Sequence, residues 1–501
     1  MTAKRRARPF ASRAGGALLA AAVVVLVCSC GGTSAESPSW VWPNGDSAST
    51  RSSAGSAITA ASVGRLRVAW RFRVHGQGGG FGLLSSTPLM RDGVAYVQDT
   101  ASSVYAIDLR SGRRLWVQRK REPNDGPNGL ALVGDRIYAA SDTSVFALDA
   151  TDGHQIWSRL LVSPTEQFVN IAPVVDHGRV YASTVGLPPG GRGAIYALDA
   201  ATGKQRWRFD TIEKPWRNRR AGGGGAWQPL SVDGGGRVYA GIANPAPWGG
   251  SRRFRNGGWY RGRVLYSDSL VVLDGGSGRL LWYDQVLSHD VRDHDFQLSP
   301  VLATVHGRDL VIGGGKGGQI VAWDRATHER VWRQSVGTHR NDVGPLPVSP
   351  VQVCPGLFGG ALTPMAYAEG RVFVPVVELC TRESAVTTAS VLQRPPEEGT
   401  GVIAGLDAAT GRPLWTRTLP SAPFGCATVA SDVVFAPTYD GWIYALSART
   451  GAILWKDRAE AGINGCPSVA GDTLLVPAGA PHRDFAAPVP QLIAYRLTSS
   501  Q

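Results

Sequence analysis

The chain has 501 residues, with 52 Lys or Arg against 39 Asp or Glu, so its formal net charge is +13 with neutral histidines. Beyond the N-terminus no apolar run is long enough to cross a bilayer, which excludes a protein with several membrane-spanning helices. The six cysteines form neither a CxxC pair nor a Cys/His cluster, which argues against a zinc site.

The N-terminus predicts export. The first 13 residues carry five Lys or Arg and no acid, and the short apolar run Gly15–Val27 follows. The sequence VCS before Cys30 resembles a bacterial lipobox, so we expect a lipoprotein signal peptide over 1–29, lipidation of Cys30 and a linker over 30–39. The alternative, an uncleaved N-terminal anchor, also leaves the rest of the chain on the outer side. The predicted location is therefore the extracytoplasmic side of the membrane, with disulfides permitted.

Removal of the signal peptide would also remove five positive charges and leave a moderately basic chain. Its basic clusters are KPWRNRR at 214–220 and SRRFRNGGWYRGR at 251–263. Such clusters are more often solvated loops or contacts to anionic surfaces than nucleic-acid sites. Because the chain is predicted to be exported, we expect no nucleic-acid partner.

One sequence unit recurs along the chain. A strand-like segment usually ends at Asp-x-x-Thr-Gly, and a second segment carrying a Trp follows; the copies are Val104–Trp116, Val145–Trp157, Ile195–Trp207, Leu270–Trp282, Ile320–Trp332, Ile403–Trp415 and Ile443–Trp455. The Asp can accept hydrogen bonds from turn amides, and the Gly supplies the positive φ that a short hairpin loop needs. We expect the Trp ring to be buried against the neighbouring unit.

The repeat predicts the fold class. One such sheet cannot bury both faces, and radial stacking of four-stranded sheets gives a propeller. Ser62–Phe72 has the Trp strand without its preceding partner, whereas Gln491–Leu497 has the partner without a Trp. Together they make one more unit, so we predict an all-β, eight-bladed β-propeller over 40–501. Its two ends would pair and leave no exposed sheet edge.

The repeats are unequally spaced. The intervals Trp207–Trp282 and Trp332–Trp415 are much longer than most others. Insertions in a repeat array tend to lie on one face, often the binding face. The segment GIANPAPWGG at Gly241–Gly250 lies in the first insertion, where Asn244 is either a turn starter before Pro or part of a site.

Several segments resemble the pyrroloquinoline quinone (PQQ) dependent alcohol dehydrogenases, exported bacterial eight-bladed propellers, and the resemblance covers nearly all of the chain after the signal. GGGGAWQPLSVD is similar to the segment whose Trp, here Trp227, lies against the quinone ring. GIANPAPW resembles the segment whose Asn, here Asn244, binds the metal. SHDVRDHDF resembles the stretch with the catalytic Asp, here Asp293, and Asp295 matches an additional ligand of lanthanide-using members. GGKGGQIVAWDR resembles the segment whose Lys or Arg, here Lys316, contacts the quinone oxygens.

The resemblance implies PQQ as cofactor and Ca²⁺ or a lanthanide held by Asn244, Asp293 and Asp295. The metal would polarise the quinone carbonyl, and Asp293 would take the alcohol proton. Lys316 would stabilise charge on the quinone oxygen, and Trp227 would provide a flat apolar floor. The substrate would be an alcohol or a sugar, and a separate electron acceptor would be required because no CxxCH haem motif is present.

Three departures from the family pattern favour a competing hypothesis. Pro188 stands where the metal-binding Glu is expected, Asn124–Leu132 lacks the adjacent cysteine pair, and Arg292 replaces a Trp. A hard cation prefers several oxygen ligands, so loss of the Glu weakens the predicted site. The alternative is a non-catalytic propeller lipoprotein that binds envelope proteins, as the outer-membrane assembly lipoprotein of similar fold does.

Each candidate also has a structural explanation. Trp227 could pack an inter-blade loop, the stretch 289–295 could be a solvated polar loop, and Lys316 could be an exposed turn residue. We expect a monomer.

Four cysteines would remain after signal removal, and their number permits two disulfides without fixing their pairing. The family has a bridge in the region of Cys354 and Cys380. Cys426 and Cys466 occupy equivalent positions of consecutive units, so a bridge between blades is plausible if both lie near the axis. The alternative for this second pair is two buried free thiols.

Overall fold

The computed structural model describes residues 38–498, except 77, 79–80, 125, 127, 163–165, 188–189, 214–221, 259–262 and 387–394. The predicted signal peptide, the predicted lipidation site Cys30, Pro188 and the basic cluster at 214–220 lie outside the described residues. Within the described ranges, no helix has the length and apolar character needed to span a membrane.

Four antiparallel sheets, blades 1 to 4, form the first half of the structure; each has four blade strands, and Gln167–Val169 adds a fifth to blade 3. Their first strands are buried, and their fourth strands face solvent. The strands are Leu89–Arg91, Val94–Gln98, Val104–Asp108 and Arg114–Gln118 in blade 1; Leu130–Val133, Arg136–Ala140, Ser144–Asp149 and Gln155–Leu160 in blade 2; Val174–Asp176, Arg179–Gly186, Ala194–Asp199 and Gln205–Asp210 in blade 3; and Ser231–Val232, Arg237–Gly241, Ser269–Asp274 and Leu280–Gln285 in blade 4.

Blades 5 to 8 repeat this arrangement and complete the predicted eight. Their strands are Val301–Val305, Arg308–Gly314, Gln319–Asp324 and Arg330–Ser335 in blade 5; Ala366–Ala368, Arg371–Glu378, Thr400–Asp407 and Pro413–Leu419 in blade 6; Thr428–Ala430, Val433–Pro437, Trp442–Ser447 and Ile453–Arg458 in blade 7; and Ser468–Ala470, Thr473–Ala478, Gln491–Leu497 and Leu66–Arg73 in blade 8. The pairing of Leu66–Arg73 with Gln491–Leu497 confirms that the two ends close the propeller.

Short elements supplement the blades. Additional strands are Ser52–Ser53, Gln167–Val169, Gly222–Gly223, Pro245–Ala246, Val351–Val353 and Thr381–Glu383, and short 3₁₀ helices are Val63–Arg65, Arg255–Gly257 and Pro396–Glu398. Gly222–Gly223 pairs with Pro245–Ala246, and Val351–Val353 pairs with Thr381–Glu383. These pairs lie in the long insertions of blades 4 and 6.

The recurring Trp ties each blade to the next. The Trp116 Nε1 donates to the Ala150 carbonyl of the following hairpin at 3.2 Å. Gly153 in that hairpin has a φ of +79°, and a Cβ placed there would lie 2.6 Å from the Trp116 ring. Glycine is therefore required both for the turn and for close approach of the ring. The predicted packing of the Trp against its neighbour is confirmed, although the Trp116 ring is only half-buried.

One hairpin departs from this pattern. His328 occupies the glycine position in blade 5 with a φ of +64°. Its imidazole stacks on the Trp282 ring with centroids 4.7 Å apart and planes 15° apart. Stacking thus replaces the usual contact between a ring and a glycine, at the expense of a left-handed backbone conformation.

An N-terminal belt, residues 40–53, crosses the inner strands of most blades. Peptide N–H groups of inner strands donate to belt carbonyls in the pairs Leu132 to Val41, Val232 to Ser47, Leu302 to Ala48, Tyr367 to Thr50 and Val429 to Arg51. The fully buried Arg51 guanidinium also donates to the carbonyls of Pro43, Ala427 and Pro467. The belt therefore links the start of the chain to its last blades.

Candidate active site

The two predicted cofactor segments of blade 4 lie side by side. The Gly224 N–H donates to the Asn244 carbonyl at 2.9 Å, and the Ala243 N–H donates to the Gly225 carbonyl at 2.8 Å. Gly225 has a φ of +92°, and a Cβ placed there would lie 2.0 Å from the Thr184 carbonyl oxygen. The glycine run thus allows a backbone packing that fixes Trp227 and Asn244 relative to one another.

Asn244, Asp293, Asp295 and Lys316 meet in one hydrogen-bonded cluster. The Asn244 Nδ2 donates to Asp293 Oδ1 at 2.8 Å, and the Asn244 peptide N–H donates to Asp295 Oδ1 at 2.8 Å. The Lys316 Nζ lies 2.6 Å from Asp293 Oδ2 and 2.5 Å from Asp295 Oδ2. The structure therefore brings together the four polar residues that the sequence singled out, from blades 4 and 5.

The stretch 289–295 is not a solvated loop, because Asp290, Arg292, His294 and Asp295 are all buried. The Asp290 carboxylate accepts the Arg292 N–H at 2.8 Å and the His294 N–H at 2.7 Å, which closes a tight turn around Asp293. Asp293 itself has a φ of +62°. A non-glycine residue held in that region at a site of clustered charges is often functional.

Contacts from outside the loop hold it in place. The Arg292 guanidinium donates to the carbonyls of Asn341 at 2.9 Å and Gly344 at 2.6 Å. His294 Nε2 lies 3.0 Å from the Pro355 carbonyl, directly after Cys354. Arg292, where the resemblance led us to expect a Trp, thus anchors the Asp293 loop to the insertion of blade 6.

The lysine is buried, so the exposed-turn explanation for Lys316 is wrong. Burial disfavours its ammonium, but Asp293 and Asp295 outweigh burial and raise the pKa of Lys316 above its ordinary value. Burial raises the pKa of Asp293 to about 7; Lys316 opposes this rise, and Asp295 adds to it. A carboxylate that titrates near neutrality can accept a proton from a substrate hydroxyl.

Asp268 is an additional acid that sequence reasoning missed. It is fully buried, and neither carboxylate oxygen accepts a well-formed hydrogen bond from a described residue. Burial, followed by the charges of Asp290, Asp295 and Asp293, raises the pKa of Asp268 well above its ordinary value. The signal in the sequence was an Asp directly before the apolar strand SLVVLD.

Two cavities adjoin at Trp227, and both contain candidate site residues. One, with about 810 Å³ of empty volume, is lined by Trp227 and Lys316, by the amides of Asn170, Gln228, Gln297 and Asn464, and by apolar side chains including Phe81, Phe358, Leu362 and Phe424. The other, of about 750 Å³, is lined by Trp227, Asn244, Trp248 and Asp293. The Trp227 Nε1 has no hydrogen-bond partner among the described residues, and its ring meets Phe168 edge-on at 5.6 Å.

The four cysteines form two disulfides, Cys354–Cys380 and Cys426–Cys466, with Cα–Cα distances of 4.6 and 5.1 Å. The second joins blade 7 to blade 8, so the explanation as free thiols is wrong, and it lines the cavity that contains Lys316. Gly126 of the stretch without the adjacent cysteine pair lines the same cavity. A cross-blade bridge therefore contributes to the wall of the candidate site.

Comparisons with known families divide the chain. The family model for the β-propeller domain of glucose, ethanol and alcohol dehydrogenases of the PQQ type matches residues 165–335. The model for outer membrane protein assembly factor BamB matches 45–188 and 399–485. Quinohemoprotein alcohol dehydrogenase ADH IIB of Pseudomonas putida is 30% identical over 316 residues, which are 56% of this chain and 45% of that protein. The resemblance is confirmed: the chain is an eight-bladed β-propeller similar to the quinoprotein alcohol dehydrogenases.

Further relatives agree with this assignment. Quinohemoprotein alcohol dehydrogenase of Comamonas testosteroni is 28% identical over 395 residues, 68% of this chain and 55% of that protein. This quinoprotein-like propeller thus spans about half the length of the curated relatives it matches.

Solved structures establish the eight-bladed fold. A crystal structure of the Comamonas testosteroni enzyme superimposes with a TM-score of 0.80 at 22% identity, over 93% of this chain and 82% of that chain. A europium-containing methanol dehydrogenase gives 0.76 at 22% identity, over 92% of this chain and 98% of that chain. BamB from Moraxella catarrhalis gives 0.54 at 13% identity, over 87% and 99%.

Proposed function

We propose that this quinoprotein-like propeller binds PQQ and a cation, and oxidises an alcohol or a sugar. The observation that carries the proposal is the convergence of Trp227, Lys316, Asn244 and Asp293 around two adjoining cavities. These four residues and Asp295 all fall within the segment that matches the dehydrogenase family model.

The residues present fit a planar, anionic quinone. The cavity that contains Lys316 offers the Trp227 ring, the Lys316 ammonium and amide side chains such as Asn170 and Gln297. A flat aromatic ring suits a planar cofactor, the lysine charge suits its carboxylates, and the amides can donate hydrogen bonds. Trp227 and Lys316 would therefore hold PQQ.

The residues also fit a hard cation. Asn244, Asp293 and Asp295 offer amide and carboxylate oxygens, the ligand type preferred by Ca²⁺ and by lanthanide ions. Lys316 now lies between the two carboxylates and partly neutralises them. A cation bound there would act as a Lewis acid toward a neighbouring oxygen.

The reaction can be described through the residues of this chain. PQQ, when bound, would accept a hydride equivalent from the carbon that bears the substrate hydroxyl. Asp293 would take the hydroxyl proton, since its carboxylate is buried and titrates near neutrality. Lys316 orients that carboxylate at 2.6 Å and would stabilise negative charge on an oxygen beside it. Asn244 fixes the other carboxylate oxygen.

Titration with PQQ tests the proposal. Quenching of Trp fluorescence by PQQ would be followed with Ca²⁺, with La³⁺ and without metal, together with a dye-linked alcohol assay. Trp227→Phe and Asn244→Ala should weaken binding at least tenfold. Trp455→Phe in blade 7, which also removes one Trp, should leave it unchanged. If PQQ causes no quenching with either cation, the proposal is wrong.

A specific observation favours the competing function, a non-catalytic scaffold for envelope proteins. The BamB family model matches 45–188 and 399–485, which together touch blades 1, 2, 3, 6, 7 and 8. The scaffold function would be supported if the protein does not bind PQQ and if crosslinking in intact cells joins it to envelope proteins.

We also propose that the protein is an exported lipoprotein, a monomer, and a partner of a separate electron acceptor. The basic and apolar N-terminus and the VCSC sequence support export and lipidation at Cys30. Cys30→Ala should move the protein from the membrane fraction to the soluble fraction and abolish labelling by a fatty-acid probe. Retention in the membrane with no label in the wild type would contradict lipidation.

A further inference from the structure

Asp268 is held by its backbone next to the segment that carries Asn244. Its peptide N–H donates to the Ala243 carbonyl at 3.1 Å, one residue before Asn244, and its own carbonyl accepts the Val286 N–H at 2.8 Å. The side chain is fully buried, and it is absent from the walls of the cavity that contains Asn244 and Asp293. Its carboxyl group is therefore buried beside the segment that carries Asn244, outside the wall of that cavity.

The Asp268 carboxyl group lacks the hydrogen bonds that normally stabilise a buried acid. Neither oxygen accepts a well-formed hydrogen bond from the described residues, and the peptide N–H of Phe296 opposes but does not reverse the rise in the pKa of Asp268. The charged side chains that influence it are other acids, Asp290, Asp295 and Asp293. An isolated buried carboxylate is strongly unfavourable unless a positive charge lies nearby.

When its acids are ionised, as a bound cation would favour, the cluster carries an excess of negative charge. Its four aspartates outnumber its two basic side chains, Lys316 and Arg292, and the Arg292 guanidinium is engaged with loop carbonyls. A bound multivalent cation would offset this excess, and a cation of higher charge would offset it more. The buried Asp268 carboxyl group, which lacks a well-formed hydrogen bond from the described residues, therefore indicates that this cluster binds a multivalent cation.

We propose that Asp268 supplies negative charge through space to a cation held by Asn244, Asp293 and Asp295, and that it favours a trivalent over a divalent cation. This inference rests on the cation site of the proposed function. Asp268 is a positioning and charge-supplying residue, and it makes no contact with substrate. The Coulomb energy of a cation in its field is proportional to the charge of the cation, so its removal should cost a trivalent ion more.

Cation binding without PQQ or substrate tests the inference. Tb³⁺ would be followed by luminescence on Trp excitation, because Trp227 and Trp248 line the same cavity as Asn244 and Asp293. Ca²⁺ would be followed by its competition with Tb³⁺. Asp149, Asp152 and His154 lie close enough together to hold a cation, so every protein would carry Asp152→Asn.

The neutral isostere Asp268→Asn should raise the Kd about tenfold for Ca²⁺ and about thirtyfold for Tb³⁺. The lost Coulomb energy is proportional to the charge of the cation, so the logarithms of the two fold-changes stand in the ratio two to three. The matched control is Asp274→Asn, which removes the same charge from a hairpin at the end of the strand that follows Asp268. It should change either Kd less than about twofold.

Three results would overturn the inference. They are a Kd for Asp268→Asn that matches the control, equal losses for the two cations, and absence of Tb³⁺ binding in the Asp152→Asn parent.

If Asp268→Asn does not fold, Asp268→Ala replaces it, and failure of both to fold without cation would show that the residue is structural. The inference expects both variants to melt no lower than the parent without cation. PQQ binding is measured separately by quenching, so the proposed function can fail or stand independently.

Discussion

Blade 4 differs from blades 1, 2, 5 and 7 in how its second and third strands are connected. In blades 1, 2 and 7 short turns join these strands, as from Ala140 to Ser144 or from Pro437 to Trp442. In blade 4 the connection runs from Gly241 to Ser269 and carries Asn244 and Asp268. The repeat therefore determines the scaffold, whereas the insertions between its strands hold the candidate chemistry.

The two family models also separate the part of the chain that carries the candidate site from most of the regular blades. The dehydrogenase model covers 165–335, which includes every candidate quinone and cation residue, and the assembly-factor model covers 45–188 and 399–485. Substitutions in the regular blades should therefore change stability, whereas substitutions in blades 4 and 5 should change ligand binding. Four predictions follow this division from the largest expected effect to the smallest.

Arg51→Ala should cause the largest loss of stability. Arg51 is fully buried, burial lowers the pKa of its guanidinium to about 9, and its removal takes a donor from the carbonyls of Pro43, Ala427 and Pro467, of which Pro467 keeps the Thr428 hydroxyl. We expect a loss of about 3–5 kcal/mol in the free energy of unfolding, measured by chemical denaturation. Exposed Arg67→Ala should cost less than about 0.5 kcal/mol. Equal effects of the two substitutions would contradict the role of the belt.

A pair of Trp substitutions separates scaffold from site. Trp332 is buried and donates to the Ala408 carbonyl of the next blade at 2.9 Å, so Trp332→Ala should cost about 3–5 kcal/mol of stability. Trp227→Ala should cost only about 1 kcal/mol, because its ring is half-exposed, and should abolish PQQ quenching. The reverse ranking in thermal melts would show that Trp227 is a structural residue.

Glu383→Gln should change how stability depends on pH. Burial raises the pKa of Glu383 to about 7; Thr381 and Arg292 oppose this rise, and Asp290 adds to it. The folded pKa exceeds the unfolded one, so the stability that Glu383 contributes is complete below about pH 4.5 and is lost as pH rises through 7. The variant should match the wild type at pH 5 and be more stable by about 2 kcal/mol at pH 8. Identical melting curves at both pH values would contradict this.

The smallest effect is expected at His328. Glycine would relieve the left-handed φ by about 1 kcal/mol, but the stacking on Trp282 would be lost at a similar cost. His328→Gly should therefore change the free energy of unfolding by less than about 1 kcal/mol, and Gly153→His in blade 2 should destabilise by more, since a Cβ there meets the Trp116 ring. Comparable losses for the two variants would show that stacking does not compensate.

The sequence predicts the blades because one short pattern of strand, turn and Trp recurs. Each copy indicates which two strands pair across the turn and which Trp packs on the next unit. The closing of the ends followed from two incomplete copies, at Ser62–Phe72 and Gln491–Leu497. The resemblance also selected Asn244, Asp293, Asp295 and Lys316, which the structure brings together.

Other features could not be predicted because they depend on contacts between distant segments. The belt carries no period, so nothing in residues 40–53 shows that Arg51 reaches Ala427. The run 289–295 is polar, and its burial depends on the carbonyls of Asn341 and Pro355. From the sequence alone Asp268 is interpreted as a turn residue, because its burial depends on distant segments.

The most direct test of the account is the titration of the purified protein with PQQ in the presence of Ca²⁺ or La³⁺. The account predicts saturable quenching of Trp fluorescence that requires the cation, is weakened in Trp227→Phe and is unchanged in Trp455→Phe. Quenching that never appears with either cation would contradict the account and leave the propeller as a binding scaffold.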